Sequence, residues 1–515
     1  MSPLYHRAVR PLGLGVALLV LVWMSFGTGA RAVTVSTSFG TSYQVNVDTS
    51  GRNITGDAAN EPSLCIDPTN PNRIAIGWRQ FNTTNSNFRQ AGYGFSTNGG
   101  VNWTFGGTLE TNVFRSDPVL AADAAGRFYY LSLQQSPFRC DLWRSTDGGA
   151  SWQSLGPAVG GDKAWMAIDN TTGPGRGNIY QAWDFASTTG DRYFSLSYDG
   201  GLNWADPVTI PQLPYWGTVD VGPNGELYMG GWDGTTFWLN RSTNAPNRAQ
   251  PFAFDLTVPV NLGGSLRSFL GGGPNPGGLL GQVWIAVDRS TNQTRGNVYA
   301  LCSTGTASSL CDVMFARSTD GGATWSAPVR INTDPGFANS WHWFGTLSVA
   351  PNGRIDVCWN DTRHDSSKLL SELFYCSSMD GGLSWETDRA ISPPFDSRLG
   401  WPSQNKMGDY VGMISLEDAA CIAYSATFNG EQDVYFTRVE QPLLLTIAST
   451  AGAARLSWNA VIGRTYCLQY KASLTDAWPI GTDQICLAAT NCLMTITDAM
   501  GPGASQRFYR LVKEP

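Results

Sequence analysis

The chain is poor in charge, yet charged, polar and aromatic residues recur just before apolar, strand-like runs. Only 15% of the residues are charged, and two of the five lysines, Lys163 and Lys406, occupy such positions. Residues of this kind are Glu61, Asp117, Asp162, Lys163, Trp216, Gln282, His342, Trp343, Lys406, Asp409 and Tyr410. Carboxylates, imidazole and phenol can transfer protons, whereas ammonium groups bind anionic partners. If the fold gathers these residues, we expect them to form a polar ligand site.

A second polar set lies in loops that follow the next apolar run. It comprises Arg79, Arg139, Asp184, Asp191, Asp233, Asp361, Arg363, His364 and Glu431. Guanidinium groups such as those of Arg79 and Arg363 hold carboxylates through two parallel hydrogen bonds. The site is therefore expected to draw on both sets.

The elements that must position these residues are strand pairs that recur seven times. Each pair is an apolar strand, a turn and a second strand, and the seven copies are 62–78, 118–133, 164–183, 218–232, 283–301, 343–359 and 410–424. Seven units over residues 33–440 give about 58 residues each, which suits the four-stranded blades of a propeller. The strand-like run 33–47 is predicted to close the ring beside the last unit.

The composition agrees with an all-β chain. Its 58 glycines and 20 tryptophans favour many tight turns and strands, and the shortage of charge excludes long solvent-exposed helices. A hydrophobic content of 42% excludes a disordered chain.

Five short segments share a Ser-Xaa-Asp/Asn-Gly-Gly-Xaa-Xaa-Trp pattern, at 96–103, 145–152, 197–204, 318–325 and 378–385. The acidic or amide side chain can bond N–H groups of its own turn, the glycines accept positive φ, and the tryptophan covers the turn. The tryptophans are 49, 52, 121 and 60 residues apart, so the longest interval spans two units, with a degenerate turn near Ser242. The pattern resembles the Asp-box, or BNR repeat, of sialidase-type β-propellers, over roughly residues 55–440.

The resemblance implies a secreted exo-glycosidase that hydrolyses acidic sugars of the sialoside type. Ligands of such folds bind on the face opposite the Asp-boxes, so Asp147, Asp199, Asp320 and Asp380 are expected to be structural. Sialidases have six blades and carry a Phe-Arg-Ile-Pro motif before the first Asp-box. Here the count is seven, with six as the alternative, and only Phe114-Arg-Ser-Asp-Pro118, after the first box, is similar to that motif.

Catalytic roles follow from the same resemblance. In sialidases an arginine cluster binds the sugar carboxylate, a tyrosine activated by a glutamate is the nucleophile, and an aspartate is the acid/base. The resemblance to sialidases therefore implies that Tyr410 is the nucleophile and that Asp117 or Asp361 transfers protons. The expected substrate-binding residues are Arg79, Arg363, Glu61, Lys163, Lys406 and Trp343.

Two other functions fit the same residues. Some seven-bladed propellers are polysaccharide lyases that act on uronate-containing polymers, and His342 or Tyr410 would then remove the proton α to a carboxylate that Arg363 neutralises. Asp-box propellers also serve as binding modules for glycans or proteins without catalysis. Tryptophans near the site, Trp343 and Trp216 among them, could stack on sugar rings in any of these cases.

The two ends of the chain have sequence patterns that differ from the repeated strand pairs. Residues 1–32 have a basic start, a short apolar run and a small-residue cleavage site, which predicts a signal peptide and a secreted, periplasmic or cell-surface protein. Residues 443–515 contain short alternating strands typical of a small immunoglobulin-like or fibronectin-III-like sandwich.

Ten cysteines follow the predicted signal peptide, where disulfides can form. Cys302 and Cys311 flank a short loop and are predicted to pair, and Cys358 and Cys376 could bridge neighbouring strands. One pair is expected among Cys467, Cys486 and Cys492, whereas Cys65, Cys140 and Cys421 have no predicted partner.

The net charge limits the class of molecule that the protein is expected to bind. Removal of residues 1–32 takes away three arginines and no acidic residue, which changes the net charge from −7 to −10. Nucleic acid is therefore not an expected partner, because phosphate binding needs a basic face. We expect a monomer that acts on or binds an acidic glycan or polysaccharide, with no cofactor, no metal and no membrane span after signal cleavage.

Overall fold

The computed structural model describes residues 31–334, 339–441, 445–450, 453–460, 465–471, 473, 475, 477–478, 484–489, 493–499 and 507–513. Regular structure within these ranges consists of strands, without an α-helix. Accordingly, they contain no helix that is long and apolar enough to cross a membrane. The predicted signal peptide lies outside the described residues, apart from Arg31 and Ala32.

Strands between residues 34 and 440 form seven antiparallel sheets. The first hairpin consists of β1 (Thr34–Thr37) and β2 (Gly40–Gln44). Sheet 1 contains β3 (Ala58–Ile66), β4 (Ile74–Phe81), β5 (Gln90–Ser96) and β6 (Thr104–Thr108). Sheet 2 contains β7 (Arg115–Ala122), β8 (Phe128–Gln134), β9 (Arg139–Ser145) and β10 (Gln153–Pro157). Sheet 3 contains β11 (Trp165–Ile168), β12 (Ile179–Ala182) and β13 (Phe194–Ser197).

The remaining four sheets follow the same order along the chain. Sheet 4 contains β14 (Val219–Val221), β15 (Leu227–Trp232), β16 (Phe237–Ser242) and β17 (Leu256–Val260). Sheet 5 contains β18 (Ser265–Leu266), β19 (Trp284–Val287), β20 (Val298–Gly305), β21 (Asp312–Ser318) and β22 (Val329–Arg330). Sheet 6 contains β23 (His342–Val349), β24 (Ile355–Asp361), β25 (Leu370–Ser378), β26 (Arg389–Ala390) and β27 (Phe395–Asp396). Sheet 7 contains β28 (Gly412–Ser415), β29 (Ala419–Ala426) and β30 (Asp433–Glu440).

One strand of each sheet lies in a closed inner ring. The inner strands β3, β7, β11, β14, β19, β23 and β28 contact one another in that order, and β28 contacts β3. Each inner strand pairs with the next strand of its own sheet, so the seven strand pairs predicted from the sequence are present. The hairpin β1–β2 joins the outer side of sheet 7 through pairing of β2 with β30, as predicted for the run 33–47.

The core lies between neighbouring sheets, and the tryptophans of the repeated turns contribute to it. Trp103 packs on Phe436 of sheet 7 with ring centroids 5.3 Å apart, and Trp152 of sheet 2 packs edge-on against Tyr93 of sheet 1 at 6.0 Å. Within the turns, the acidic side chain binds its own backbone, as where Ser151 N donates to Asp147 Oδ1 at 3.0 Å. The repeated tryptophan therefore anchors each such turn to the preceding sheet.

The C-terminal strands form two further antiparallel sheets. They are β31 (Leu445–Thr450), β32 (Ala453–Asn459), β33 (Thr465–Lys471), β34 (Gln484–Ala488), β35 (Leu493–Ala499) and β36 (Phe508–Lys513). The first sheet has the order β31-β32-β35 and the second β34-β33-β36. Leu456 of one sheet and Leu468 of the other share a buried cluster, so the two sheets pack face to face.

The cysteine predictions are correct at one place and wrong at two. Cys467 and Cys486 form a disulfide between directly opposed residues of β33 and β34, whereas Cys492 lies outside the described residues. Cys302 and Cys311 are free thiols in different core clusters. Cys358 and Cys376 are also free: Cys358 pairs with Tyr375, and the one-residue offset points the two thiols to opposite faces of sheet 6. The three cysteines without a predicted partner are likewise buried free thiols.

Candidate functional site

Five residues at the start of the inner strands adopt a left-handed backbone conformation. They are Glu61 (φ 52°), Asp117 (φ 50°), Lys163 (φ 50°), Trp216 (φ 54°) and Phe344 (φ 60°). In sheets 1, 2 and 6 the strand register shifts at this residue, which is the mark of a β-bulge. Bulges re-aim side chains, and the conformation is strained for residues other than glycine. Five of the seven sheets thus present a residue in this conformation at one end of the ring, which we call the mouth.

Ion pairs connect the charged residues of the mouth. Asp409 Oδ2 lies 2.8 Å from Lys163 Nζ and 2.5 Å from Lys406 Nζ. Glu61 Oε1 lies 3.4 Å from Lys406 Nζ and 3.1 Å from Arg79 Nη2. The sequence-predicted residues Glu61, Arg79, Lys163 and Lys406 therefore meet in one network, and each cation in it already faces a carboxylate.

The pKa values of the two acidic residues in this network are shifted in opposite directions. Burial raises the pKa of Glu61 against the opposing charges of Arg79 and Lys406. Burial also acts on Asp409, but its contacts with the two lysines outweigh that effect and hold its pKa well below the usual range. Glu61 Oε2 is buried without a hydrogen-bond partner in the described part of the chain. Glu61 therefore contributes an unsatisfied acceptor inside the network.

Asp117 is the ionised half of a carboxyl pair. Its Oδ2 accepts a hydrogen bond from the backbone N–H of Lys163 at 2.7 Å, and its Oδ1 accepts one from Ser116 Oγ at 2.5 Å. Burial alone would raise the pKa of Asp117. The Lys163 charge and a hydrogen bond from Asp162 outweigh burial and hold that pKa well below the usual range.

Asp162 is the protonated half of the pair. Its side chain is 34% exposed, so it reaches solvent at the mouth. Burial of its remaining surface, together with the nearby carboxylates of Asp117 and Asp184, raises the pKa of Asp162 to about 8 despite the opposing charge of Lys163. An accessible carboxylic acid that keeps its proton at neutral pH is equipped to act as a general acid.

Asp184 links this pair to an aromatic group. Burial raises the pKa of Asp184 to about 6. Its Oδ2 accepts a hydrogen bond from Trp216 Nε1 at 3.1 Å, and its backbone N–H donates to the carbonyl of Asp162 at 3.0 Å. The acidic group and the aromatic group are therefore held together by direct hydrogen bonds.

Arg89 is a mouth residue that the sequence predictions missed. Its Nε donates to Ser116 Oγ at 3.2 Å, and its guanidinium lies 4.4 Å from the ring centre of Phe114. Among the described residues, no carboxylate lies within 4.0 Å of it. Burial and the nearby charge of Arg79 lower the pKa of Arg89 to about 10. Its position just before β5, in the loop that follows the strand containing Arg79, was the available signal.

Tyr410 lies beside the network but is enclosed. It is 4% exposed, and its hydroxyl donates to the backbone carbonyl of Pro118 at 3.0 Å. Burial, reinforced by the charges of Glu61 and Asp117, raises its pKa well above the ordinary value. Its ring also packs edge-on against Trp165 at 5.4 Å.

The other predicted site residues form a separate network in sheet 6. His342 is completely buried, with Nδ1 2.6 Å from the carbonyl of Cys311 and Nε2 3.0 Å from Asp334 Oδ1. Burial by itself lowers the pKa of His342, but the hydrogen bond to Asp334 and the charge of Asp361 outweigh burial and raise it. Arg363 Nη2 lies 2.7 Å from Asp361 Oδ2 and 2.7 Å from Asp388 Oδ2.

This second network does not join the mouth. Within the described residues, no side-chain hydrogen bond or ion pair connects His342, Asp361 or Arg363 to Glu61 or Asp409. The predicted sugar contact Trp343 is fully buried as well, and its Nε1 donates to Ser371 Oγ at 3.1 Å. The predicted site is therefore divided between two largely buried networks, of which the mouth reaches solvent mainly through Asp162 and in small part through Lys163 and Lys406.

Comparisons with known proteins give structural likeness only. No protein-family model and no curated protein matches the chain. A protein of unknown function from Dyadobacter fermentans is 14% identical, with a TM-score of 0.45 over 80% of this chain and 99% of that chain. An ulvan lyase of polysaccharide lyase family PL25 is 11% identical, with a TM-score of 0.45 over 74% and 93%. Trypanosoma rangeli sialidase is 9% identical, with a TM-score of 0.38 over 95% and 88%.

Proposed function

We propose that residues 33–440 form a seven-bladed β-propeller of the Asp-box type and that residues 443–515 form a separate β-sandwich. The closed ring of seven inner strands supports the blade count. The signal-like start and the Cys467–Cys486 disulfide support export from the cytoplasm.

We further propose that the protein is a glycoside hydrolase whose general acid is Asp162. The observation that carries this proposal is the position of Asp162: its side chain is 34% exposed, and the backbone N–H of the next residue, Lys163, donates to the buried carboxylate of Asp117 at 2.7 Å. Burial, which raises the pKa of Asp162 to about 8, supports the same role. The proton passes from Asp162 to the glycosidic oxygen as the C–O bond breaks. Water adds its hydroxyl to the anomeric carbon, and the proton that this water releases returns to Asp162 through solvent.

The ligand that fits best is an acidic glycan, and Arg89 supports this choice. Arg79 and Arg363, the arginines expected to hold a sugar carboxylate, are engaged by carboxylates of the protein itself. Arg89 lacks such a partner and lies next to the acid pair through Ser116. A uronate or similar acidic sugar would place its carboxylate there.

The sialidase-type roles have weaker support. A nucleophilic tyrosine must lose its proton to a neighbouring base, whereas the Tyr410 hydroxyl is buried, raised in pKa and bonded to a carbonyl. We therefore assign the proton transfer to Asp162 and a positioning role to Tyr410, whose hydrogen bond to Pro118 supports the backbone beside Asp117.

The test compares Asp162→Asn with Asp206→Asn, a control at an exposed carboxylate. Wild type and both variants are assayed for new reducing ends on polygalacturonate, xylan, xyloglucan and sialylated glycans, and for ultraviolet absorbance of unsaturated uronates. We expect hydrolysis by the wild type and by the control, and a loss of about 100-fold or more in Asp162→Asn. The wild-type rate should also fall as pH rises through about 8, because Asp162 then loses its proton.

Three results would contradict the proposal. Asp162→Asn could cleave as fast as the control, which would show that Asp162 is not the general acid. Unsaturated products would show a lyase, in which no water is added. Binding on a glycan array without cleavage of any substrate would show a binding module.

A further inference from the structure

Exposed aromatic side chains stand on both sides of the acid pair. Phe88 is 40% exposed, Phe185 is 56% exposed and Phe269 is 59% exposed, although large apolar side chains are normally covered. The first belongs to the β4–β5 loop, the second to the β12–β13 loop, and the third lies between β18 and β19. These connections lie at the mouth, because they join strands at the same end of the ring as Asp117 and Lys163.

The first group, which we call platform A, consists of Phe88 and Phe114. Their ring centres are 6.2 Å apart in an edge-on arrangement, and Arg89 lies over Phe114. Platform A is connected to Asp117 by two hydrogen bonds: Arg89 donates to Ser116, and Ser116 donates to Asp117.

The second group, platform B, consists of Phe185, Tyr215, Trp216, Trp232 and Phe269. Tyr215 packs edge-on against Phe185 at 5.1 Å and against Trp216 at 4.9 Å. Trp216 in turn stacks on Trp232 at 6.2 Å and contacts Phe269 at 6.2 Å. Through the bond from Trp216 to Asp184, platform B is tied to the side of the pair that holds Asp162.

The geometry points to a glycan chain that crosses the mouth, with sugar rings on platform A and platform B and an internal glycosidic bond at Asp162. Sugar rings present C–H faces that pack on aromatic rings, while their hydroxyls remain free for the polar groups between the platforms. An exo-acting enzyme holds a single terminal sugar on one side of the bond that it cuts and the rest of the chain on the other, whereas exposed aromatic platforms on both sides leave room for the chain to continue in both directions. The substrate class is therefore a polysaccharide cut internally. The cleavage part of this inference rests on the proposed function; the binding part does not.

Binding is tested first, without catalysis. Asp162→Asn is titrated with oligosaccharide ladders of two to six units, one of galacturonate and one of xylose. The same titration is made with Phe88→Ala or Phe185→Ala added, and with Phe39→Ala as the control. Phe39 is 53% exposed but belongs to the β1–β2 hairpin on the outside of sheet 7. Because each replaced side chain is exposed, the variants should fold, which matching melting temperatures will verify.

We expect affinity to rise with ladder length and each platform variant to lose about tenfold for the longest oligosaccharide, with little loss for the shortest. The control should bind like its parent. Binding that does not rise with length in either ladder, or platform variants that match the control, would overturn the inference.

Product size then tests the cleavage part. An internal cut releases oligosaccharides of mixed length from the start of the reaction, and release of single sugars only would overturn this part. Failure of the proposed function is a separate result, because it is read from the cleavage assays of the wild type and Asp162→Asn, whereas the platforms are judged by the affinity of each platform variant relative to the Phe39→Ala control.

Discussion

Replacement of Asp57 by asparagine should stabilise the protein at pH 8–9 and change its stability little near pH 5. Asp57 lies at the seam where the hairpin β1–β2 and sheet 7 meet sheet 1, and it is 2% exposed. Its Oδ2 accepts a hydrogen bond from Gln80 Nε2 at 2.8 Å, whereas its Oδ1 has no partner among the described residues. Asp433 and Glu431 add negative charge nearby.

The size of the effect follows from the protonation equilibrium. Burial, with a further contribution from Asp433, raises the pKa of Asp57 from 3.8 to about 7. The folded state therefore binds this proton more tightly than the unfolded state, and stability is lost as pH rises from about 4 through about 7. About 3 pKa units correspond to about 4 kcal/mol. Asparagine avoids this loss but buries an amide donor at the Oδ1 position, at a cost of about 1–3 kcal/mol. The net gain expected above pH 8 is about 1–3 kcal/mol.

Urea unfolding of wild type, Asp57→Asn and the exposed control Asp206→Asn at pH 5, 7 and 9 measures this difference. Asp433, whose pKa burial raises to about 6, also titrates in the wild type and in both variants. The difference between Asp57→Asn and the other proteins therefore reports Asp57 together with its charge interaction with Asp433. A variant that is equally destabilised at pH 5 and pH 9 would refute the reasoning, because it would show that Asp57 is needed as a hydrogen-bond acceptor and carries no burial penalty.

Three further outcomes test the packing and the site. Tyr410→Phe removes the hydrogen bond to Pro118 and should lower the free energy of unfolding by about 1 kcal/mol, measured by urea unfolding. Its kcat/KM should stay within about threefold of the wild-type value. A loss of activity like that of Asp162→Asn would instead show that Tyr410 is the nucleophile. Gly126→Ala should destabilise by about 2 kcal/mol, because φ is +78° and the added Cβ would lie 2.5 Å from an oxygen of the Asp67 carboxylate; unchanged melting would contradict this. Trp152→Ala should cost about 3 kcal/mol, since its ring joins two sheets, and a cost below about 1 kcal/mol would show that the turn holds without it.

The sequence was sufficient for the order of the strands. The seven strand pairs, the repeated turns and the closing run 33–47 all rest on local patterns of apolar, glycine and tryptophan residues, which act over a few positions. Disulfide pairs were harder to predict from the sequence. Cys358 and Cys376 lie in paired strands, but a register offset of one residue separates their faces, and register depends on contacts that the sequence does not display.

The site was predicted in part for the same reason. Glu61, Asp117 and Lys163 each directly precede a repeated strand pair, so repetition alone placed them together; Lys406 lies close before the seventh pair and joins the same network. His342 occupies a neighbouring position in its unit, but its side chain turns into the interior of sheet 6. Arg89 escaped prediction because it lies outside the repeated strand pair, in a loop whose path only the folded chain fixes.

The left-handed residues at the mouth argue for function more strongly than any single contact. A glycine would adopt that backbone conformation without strain, whereas each of the five residues pays about 1–2 kcal/mol. What recurs among Glu61, Asp117, Lys163, Trp216 and Phe344 is the backbone conformation, while their side chains differ in charge, size and polarity. A bulge needed only for ring closure would be served by glycine in every sheet. Phe344 packs in the core against Trp343. The dissimilar side chains of Glu61, Asp117, Lys163 and Trp216 at equivalent strained positions are explained if each one contributes a different group to a single site, as an asymmetric ligand requires.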